Sequence, residues 1–350
     1  MTNRFEQLQT WLNALEPFGK NAFSQPVSAS NDASFRRYYR CRLRGETQSY
    51  FEQQTFIIMD APPEHEDCRP FVRVSNDLDR LGLTVPKVIA QDLTQGFLLL
   101  TDLGSDTYAS QLNEESVDGL YRDALTALVK LQQGGGFYAA DLPPYDSQLL
   151  LTEMALFNDW LGETHLDISM NKLETANWRA LQDVLVKSAL QQPQVYVHRD
   201  YHSRNLMVLP ASYAAPNPGI LDFQDAVKGA LTYDAVSLLR DCYVRWPAQQ
   251  VKEWQREYFL MLVSAKMLSK DEWSGFIKAM DLMGVQRHLK ASGIFARLFH
   301  RDGKAGYLSD IPNTLNYIVE VGRDYPEMRF IADWVEQRAL PSLMKINKES

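Results

Sequence analysis

Two hydrophobic rhythms run along this chain, one of strand period before about residue 101 and one of helical period after about residue 113. In "FRRYYRCRL" (35–43), Phe35, Tyr39, Cys41 and Leu43 fall on one side and Arg36, Tyr38, Arg40 and Arg42 on the other, which predicts a strand. Residues 44–54 read as a turn or irregular loop, and "TFIIMD" (55–60) as a short buried strand stopped by "APPE". Phe71, Val74, Leu78 and Leu81 recur at helical spacing and mark "CRPFVRVSNDLDRLG" as an amphipathic helix. "TVPKVIAQD" and "GFLLLTDLG" add two more apolar runs, giving the order strand, strand, helix, strand, strand.

Beyond residue 113, Val117, Leu120, Ala124, Leu128 and Leu131 share a helical face, with Asn113 as the expected N-cap. Further helices are expected over 148–161, 172–190, 232–244, 249–264 and 270–282, and another around "RHLKASGIFARLF". The brief runs "VYV", "NLMVL" and "GILDF" interrupt them as expected strands of a few residues. A chain of 350 residues exceeds what one core usually serves. The expectation is an α+β, two-domain protein: a small β-rich domain over 1–101 and a larger, mostly helical one over 102–350.

Composition narrows the class. Apolar residues make up 45% and charged ones 23%, as in ordinary globular proteins. A formal charge of −8 disfavours bulk attraction to nucleic acid or an anionic membrane. Cys41, Cys68 and Cys242 form no CxxC pair and no even framework, which suits a reducing compartment. The first residues lack the apolar core of a signal peptide, and no run approaches the roughly 20 apolar residues of a membrane span. The expected location is cytoplasmic.

The chemistry concentrates in "HRDYHSRN" (198–205), directly behind "VYV". Phosphoryl transfer needs a group that orients and deprotonates a hydroxyl, and oxygen ligands for the Mg²⁺ that neutralises nucleotide phosphates. Asp200 has the chemistry of the base. Asn205 offers a neutral amide oxygen and Asp222, in "ILDFQD", a charged one, both suited to that hard cation. Asp225 is placed to reach the metal's water shell or the acceptor. His198 reads as a fastener of the loop.

"HRDYHSRN" followed by "GILDFQDA" resembles the catalytic and metal-binding loops of the aminoglycoside phosphotransferase and choline kinase family, relatives of the protein kinases. More narrowly, "MDAPPE", "HRDYHSRNLM", "LDFQDAVKGALTYDAVSLLRDCYVRWP" and "RHLKASGIFARLFHRDGKAGYL" resemble bacterial anomeric kinases of N-acetylmuramate and N-acetylglucosamine. The resemblance implies a bilobal protein-kinase-like fold, with ATP and Mg²⁺ as cofactors and an amino sugar as acceptor. It implies Asp200 as base, Asn205 and Asp222 as Mg²⁺ ligands, and His202 near the transferring phosphate, with Arg204 adding positive charge. It also implies that "SASNDAS", including Ser28, Ser30, Asn31 and Ser34, covers the nucleotide phosphates and that backbone around Thr101, Asp102 and Leu103 meets adenine. One departure stands out: Met59 and Asp60 end the strand where the family usually has a phosphate-binding Lys. The Arg-rich strand 36–42, or Arg69 and Arg73, are the replacement cations to weigh.

Competing readings are blander. Asp200, Asn205 and Asp222 could be turn residues bonding their own loops, but their joint spacing fits phosphoryl transfer. His198 and His202 lack the third ligand zinc requires. A second "HRD" at 300–302 has no Asn at the matching distance, so Arg297 and Arg301 either face an anionic acceptor group or form a solvated helix face. Asp234 is expected to cap a helix or brace the catalytic loop, and Arg240 and Asp241 to approach the acceptor. The alternatives in function are a kinase of another small alcohol, such as an aminoglycoside, choline or an amino acid, and a catalytically silent nucleotide-binding module.

Overall fold

The computed structural model describes residues 3–16, 18–31, 35–45, 53–210 and 213–349. The chain divides into two compact units, Met1–Asp106 with Met207–Asp225, and Thr107–Leu206 with Ala226–Ser350. No described helix is long and apolar enough to cross a membrane.

The first unit is built on a five-stranded antiparallel sheet. Its strands are β1 (Val27–Asn31), β2 (Arg37–Arg42), β3 (Thr55–Asp60), β4 (Val88–Asp92) and β5 (Phe97–Thr101), in the order β1-β2-β3-β5-β4. Register is fixed by pairs such as Tyr39 with Ile58 and Ile58 with Leu99. Side chains alternate faces along a strand, so Phe56 and Ile58 share one side with Phe97 and Leu99. There they join Leu8 and Leu12 of a helix the hydrophobic pattern did not announce, α1 (Arg4–Asn13). That helix is started by a capping box, in which Asn3 accepts from the Glu6 backbone and Glu6 from the Asn3 backbone.

Arg4 reaches from α1 to the end of β3, where its Nε donates to Asp60 Oδ1 at 2.7 Å. Asp60 is buried, and this tie explains the acid at the position where a Lys was expected. Phe35 departs from the expected strand: it precedes β2, is exposed, and stacks on His65 at 4.4 Å. The second helix, α2 (Arg69–Arg80), buries Phe71, Val74 and Leu78 as the spacing predicts. Phe71 packs on Phe223 with ring centroids 4.8 Å apart, which ties α2 to the returning segment 207–225.

The second unit is mostly helical. It opens with α3 (Tyr108–Gln111) and α4 (Val117–Gly134), which buries Val117, Tyr121, Ala124, Leu128 and Leu131. Asn113 is not its N-cap: its side chain accepts from the Glu115 and Ser116 backbone, closing the turn before the helix. Next come α5 (Ser147–Leu156), a π-helical stretch Phe157–His165, and α6 (Lys172–Gln191). Strand β6 (Gln194–Val197) leads into the loop 198–205, which ends at β7 (Leu206–Met207). After β8 (Gly219–Ile220), strand β9 (Val227–Ala230) pairs antiparallel with β6 and anchors the start of that loop.

Two helices follow, α7 (Tyr233–Leu239) and α8 (Ala248–Ser264). The expected pair of helices at 270–282 and around 287–299 is one continuous helix, α9 (Trp273–Asp302). Polar residues in its middle, Arg287, His288 and Lys290, point inward rather than marking a break. At Gly293 an added Cβ would sit 2.3 Å from the Leu156 carbonyl carbon, so only glycine lets α9 approach the end of α5 this closely. The second "HRD" forms the last turn of α9. The chain closes with α10 (Ile311–Gly322), α11 (Arg329–Trp334) and α12 (Leu340–Glu349).

Candidate active site

The loop after β6 is held by carboxylates arriving from elsewhere in the second unit. Asp234, fully buried at the start of α7, accepts the His198 N–H at 2.7 Å and the Arg199 N–H at 3.0 Å. It braces the loop rather than capping its own helix. Asp241 does the same further along, accepting the Ser203 N–H at 2.9 Å and the Tyr243 N–H at 3.0 Å. Within the loop, the Asp200 N–H donates to His198 Nδ1 at 3.2 Å. Arg199 adopts a left-handed backbone at φ 78°, a conformation disfavoured for a side chain with a Cβ and sustained here by the bonds on either side.

Asp200 is half-buried, and its carboxylate is kept ionised. Burial works against the charge, but Lys290, His202, Arg199 and His198 together outweigh it and hold the group below the ordinary carboxylate range. Behind this lies a buried charge set that sequence reading did not find. Glu153 of α5 is shared by Arg199 and by Lys290, whose Nζ lies 2.9 Å from Oε1. Lys290 also donates to the Tyr233 hydroxyl at 3.0 Å, and the Tyr145 hydroxyl bonds Glu153. Burial opposes the Glu153 charge, yet Lys290 and Arg199 prevail and lower its pKa. The available signal was a charged residue at a core-facing helix position, at Glu153 and again at Lys290.

His202 is buried, and its ring meets Tyr243 edge-on at 5.1 Å. Burial lowers its pKa to about 4, against the pull of Asp241 and Asp200, so it is neutral near pH 7 and acts as a hydrogen-bonding group. Among the described residues its Nδ1 has no hydrogen-bond partner. Asn205 donates through Nδ2 to the Asp200 carbonyl at 3.1 Å, which turns Oδ1, the ligand-type oxygen, away from that carbonyl. Arg204 is exposed, lies 3.5 Å over the Tyr243 ring, and pairs with Asp310 at 3.4 Å.

The first unit carries the other site residues. Asp222 has a left-handed backbone at φ 61°, and its Oδ1 accepts from Gln224 Nε2 at 2.9 Å. Gln224 also reaches Asp225, which is exposed, at 3.4 Å. Thr101 ends β5 and bonds the Lys87 N–H through its hydroxyl. Asp102 is buried and bound by both arms of Arg40, at 2.7 and 3.0 Å, while its carbonyl accepts from Gln53. Leu103 packs with Met207 and Leu209.

Ser28 is exposed and lies at a bulge in β1, and Ser30 and Asn31 continue that strand, so this part of the expected phosphate-covering segment is extended. Ser34 lies outside the described residues. Among the candidate cations, Arg40 is engaged by Asp102 and Arg69 is exposed beside Asp67. Arg36 pairs with Glu66 at 2.9 Å, and both side chains are largely buried. Burial alone would lower the Arg36 pKa, but Tyr38, Glu66 and Asp225 raise it.

The remaining acceptor candidates are spread out. Arg240 pairs with Asp281 on α9, and Asp241 is committed to the loop. Arg301 is exposed and bonds its neighbour Asp302, while Arg297 is half-buried and, among the described residues, its Nε is unpartnered. Among the described residues, neither arginine makes a hydrogen bond or ion pair with the 198–205 loop.

The chemistry of Asn205 and Asp222, one amide oxygen and one carboxylate, fits Mg²⁺. In all, the second unit presents an ionised carboxylate, a neutral imidazole and an amide oxygen on one braced loop, an arrangement able to accept a proton from a hydroxyl.

Comparison with known proteins agrees. A family model described as "Phosphotransferase enzyme family" matches residues 27–269. The N-acetylmuramate/N-acetylglucosamine kinase of Pseudomonas putida is 43% identical over 341 residues, covering 95% of this chain and 96% of that protein. Among solved structures, an ethanolamine kinase from Plasmodium vivax superposes with a TM-score of 0.63 at 11% identity, covering 94% of this chain and 89% of that one. The GDP complex of aminoglycoside 2'-phosphotransferase-IIIa gives 0.59 at 12% identity, covering 90% and 99%. The protein-kinase-like fold expected from the sequence is therefore the fold found, and the chain belongs to the phosphotransferase enzyme family.

Proposed function

We propose that the protein transfers the γ-phosphate of ATP to the anomeric hydroxyl of N-acetylmuramate and of N-acetylglucosamine, giving sugar 1-phosphates. The observation that carries this reading is the braced loop with an ionised Asp200. The near-complete overlap with a relative of that activity supports the choice of acceptor.

Asp200 accepts a hydrogen bond from the anomeric hydroxyl and points its oxygen at the phosphorus. As the new O–P bond forms and the bond to the β-phosphate oxygen breaks, the electron pair leaves with ADP and the proton passes to Asp200. Asn205 and Asp222 are the residues that would hold Mg²⁺, which when bound neutralises charge on the phosphate oxygens. Arg36, fixed by Glu66, supplies the first unit's cation toward the nucleotide in place of the usual lysine. His202 donates or accepts a hydrogen bond near the transferring group without adding charge.

The test is ADP release from ATP and Mg²⁺ with a panel of the two amino sugars, choline, an aminoglycoside and amino acids. Turnover confined to the sugars is the expected result, and D200A should remove nearly all of it while still binding ADP. Sugar turnover surviving in D200A would reject the assignment of the base. Wild-type inactivity on both sugars would reject the acceptor.

A further inference from the structure

The charges around the loop include one cation that the loop's own architecture leaves unmatched. Arg287, on α9, is only 6% exposed. Among the described residues its guanidinium makes one hydrogen bond, from Nη1 to Cys242 Sγ at 3.5 Å, and Nε has no partner. Among the described residues, no carboxylate lies within the 4.0 Å of an ion pair. The other largely buried cations of this unit differ: Arg199 and Lys290 share Glu153, and Arg240 has Asp281.

The position of Arg287 is tied to the site through the segment it touches. Cys242 directly follows Asp241, which holds the Ser203 N–H, and Tyr243 packs on the His202 ring. Burial works against the charge on the guanidinium, and the carboxylates of Asp241 and Asp200 favour it. A buried, charged fork with an unused N–H edge is costly to keep unless something pairs with it during the protein's working cycle. Guanidinium geometry matches a carboxylate through two parallel N–H donors, which a hydroxyl cannot reproduce.

We propose that Arg287 receives the carboxylate of the acidic acceptor sugar and thereby sets the preference for that acid over neutral sugars. This rests on the amino-sugar reading above, in which N-acetylmuramate carries a lactyl carboxylate and N-acetylglucosamine none. Arg301, already engaged by Asp302 at the helix end, is not needed for that role.

The experiment compares kcat/KM for N-acetylmuramate and for its carboxamide in wild type, R287M and R287K, with ADP binding as the control for folding. The wild type should favour the acid by about 30-fold, the low end of what truncating one partner of a buried, hydrogen-bonded charge pair costs. R287M should abolish that ratio, and R287K should keep only part of it. A wild-type ratio near one overturns the proposal, as does an unchanged ratio in R287M with both substrates slowed alike. If R287M does not fold, R287K decides: a wild-type ratio there overturns the proposal, and a reduced one supports it. Failure of the wild type on N-acetylmuramate and N-acetylglucosamine alike would count against the acceptor reading instead, so the two failures are separable.

Discussion

Glu153, Arg199 and Lys290 form one anion shared by two cations, and removing a charge of either sign separates their part in stability from their part in catalysis. E153Q takes the counter-charge from both cations at once. The side chains are 7%, 21% and 9% exposed respectively, so solvent screens the loss little. Breaking a buried ion pair by deleting one partner costs about 3–5 kcal/mol, and E153Q should reach the upper part of that range. K290M leaves Glu153 paired with Arg199, so about 3 kcal/mol is expected. Each is a large share of the ~5–15 kcal/mol that keeps a domain folded.

The pH profiles should then diverge. Lys290 is the foremost of the charges that keep Asp200 ionised, so K290M lets its pKa rise and moves the acid limb of kcat/KM to higher pH. E153Q deletes an anion, so the limb should stay or move to lower pH. For stability, the lowered pKa of Glu153 means its contribution is present above the unfolded value and is lost as pH falls through the folded one. The wild type should therefore lose that part of its stability in acid, whereas E153Q has nothing there to lose. Urea denaturation near neutral pH and at about pH 4 reads the stability, and ADP-coupled rates across pH read the limb. Limbs that move together in both variants, or not at all, would refute the claim that this charge set tunes the base.

R36M should raise KM for ATP by about tenfold or more with little effect on acceptor KM, as expected for loss of a phosphate-facing cation; an unchanged ATP KM would assign the Arg36–Glu66 pair to structure alone. D241N places an amide N–H₂ against a backbone donor, either Ser203 or Tyr243. The variant should lose about 1–3 kcal/mol of stability and drop kcat, with ADP affinity retained. A normal kcat in a destabilised D241N would show that the brace is not needed for catalysis. Burial lowers the pKa values of His202 to about 4 and His288 to about 3, so their contribution to stability is present above the unfolded value and lost as pH falls. Asp234, raised by burial to about 6, acts oppositely, its contribution fading as pH rises through that value. H288Q keeps a donor for the Arg240 carbonyl, now 2.9 Å from His288 Nε2, and should lose less stability on acidification than the wild type by urea denaturation. An equal loss would exclude His288 as a source of acid sensitivity.

What could be read from the sequence is what local spacing encodes. The strands β3 and β5 and the helix α2 declare themselves through runs of Phe56, Ile58, Leu98 and Leu100, or Phe71, Val74 and Leu78, whose period is set by neighbours in the chain. Asp200 and Asn205 were legible for the same reason: base and amide lie on one loop, and the chemistry limits which residues suit each task. The braces were less so: Asp234 was expected either to cap a helix or to brace the loop, and the holds of Asp241 and Glu153 were not foreseen. Asp234 meets His198 across 36 positions, Asp241 meets Ser203 across 38, and Glu153 meets Arg199 across 46, distances over which no periodicity speaks.

The helix α9 shows the limit most clearly. Its polar stretch around Arg287, His288 and Lys290 lies where the second of two separate helices was expected to begin, because a charged side chain is ordinarily driven outward. Here three polar groups are drawn inward, each by a different attraction: Lys290 by Glu153, His288 by the Arg240 carbonyl and the face of Tyr317, and Arg287 by the longer-range field of Asp241 and Asp200. The helix therefore continues through them, and the same inversion that hid its length from sequence reading brings its cations to the base. A buried charge cluster on a helix is thus a statement about the site it faces, and the member that, among the described residues, has neither a carboxylate nor a carbonyl partner is where an anionic ligand gains most by binding.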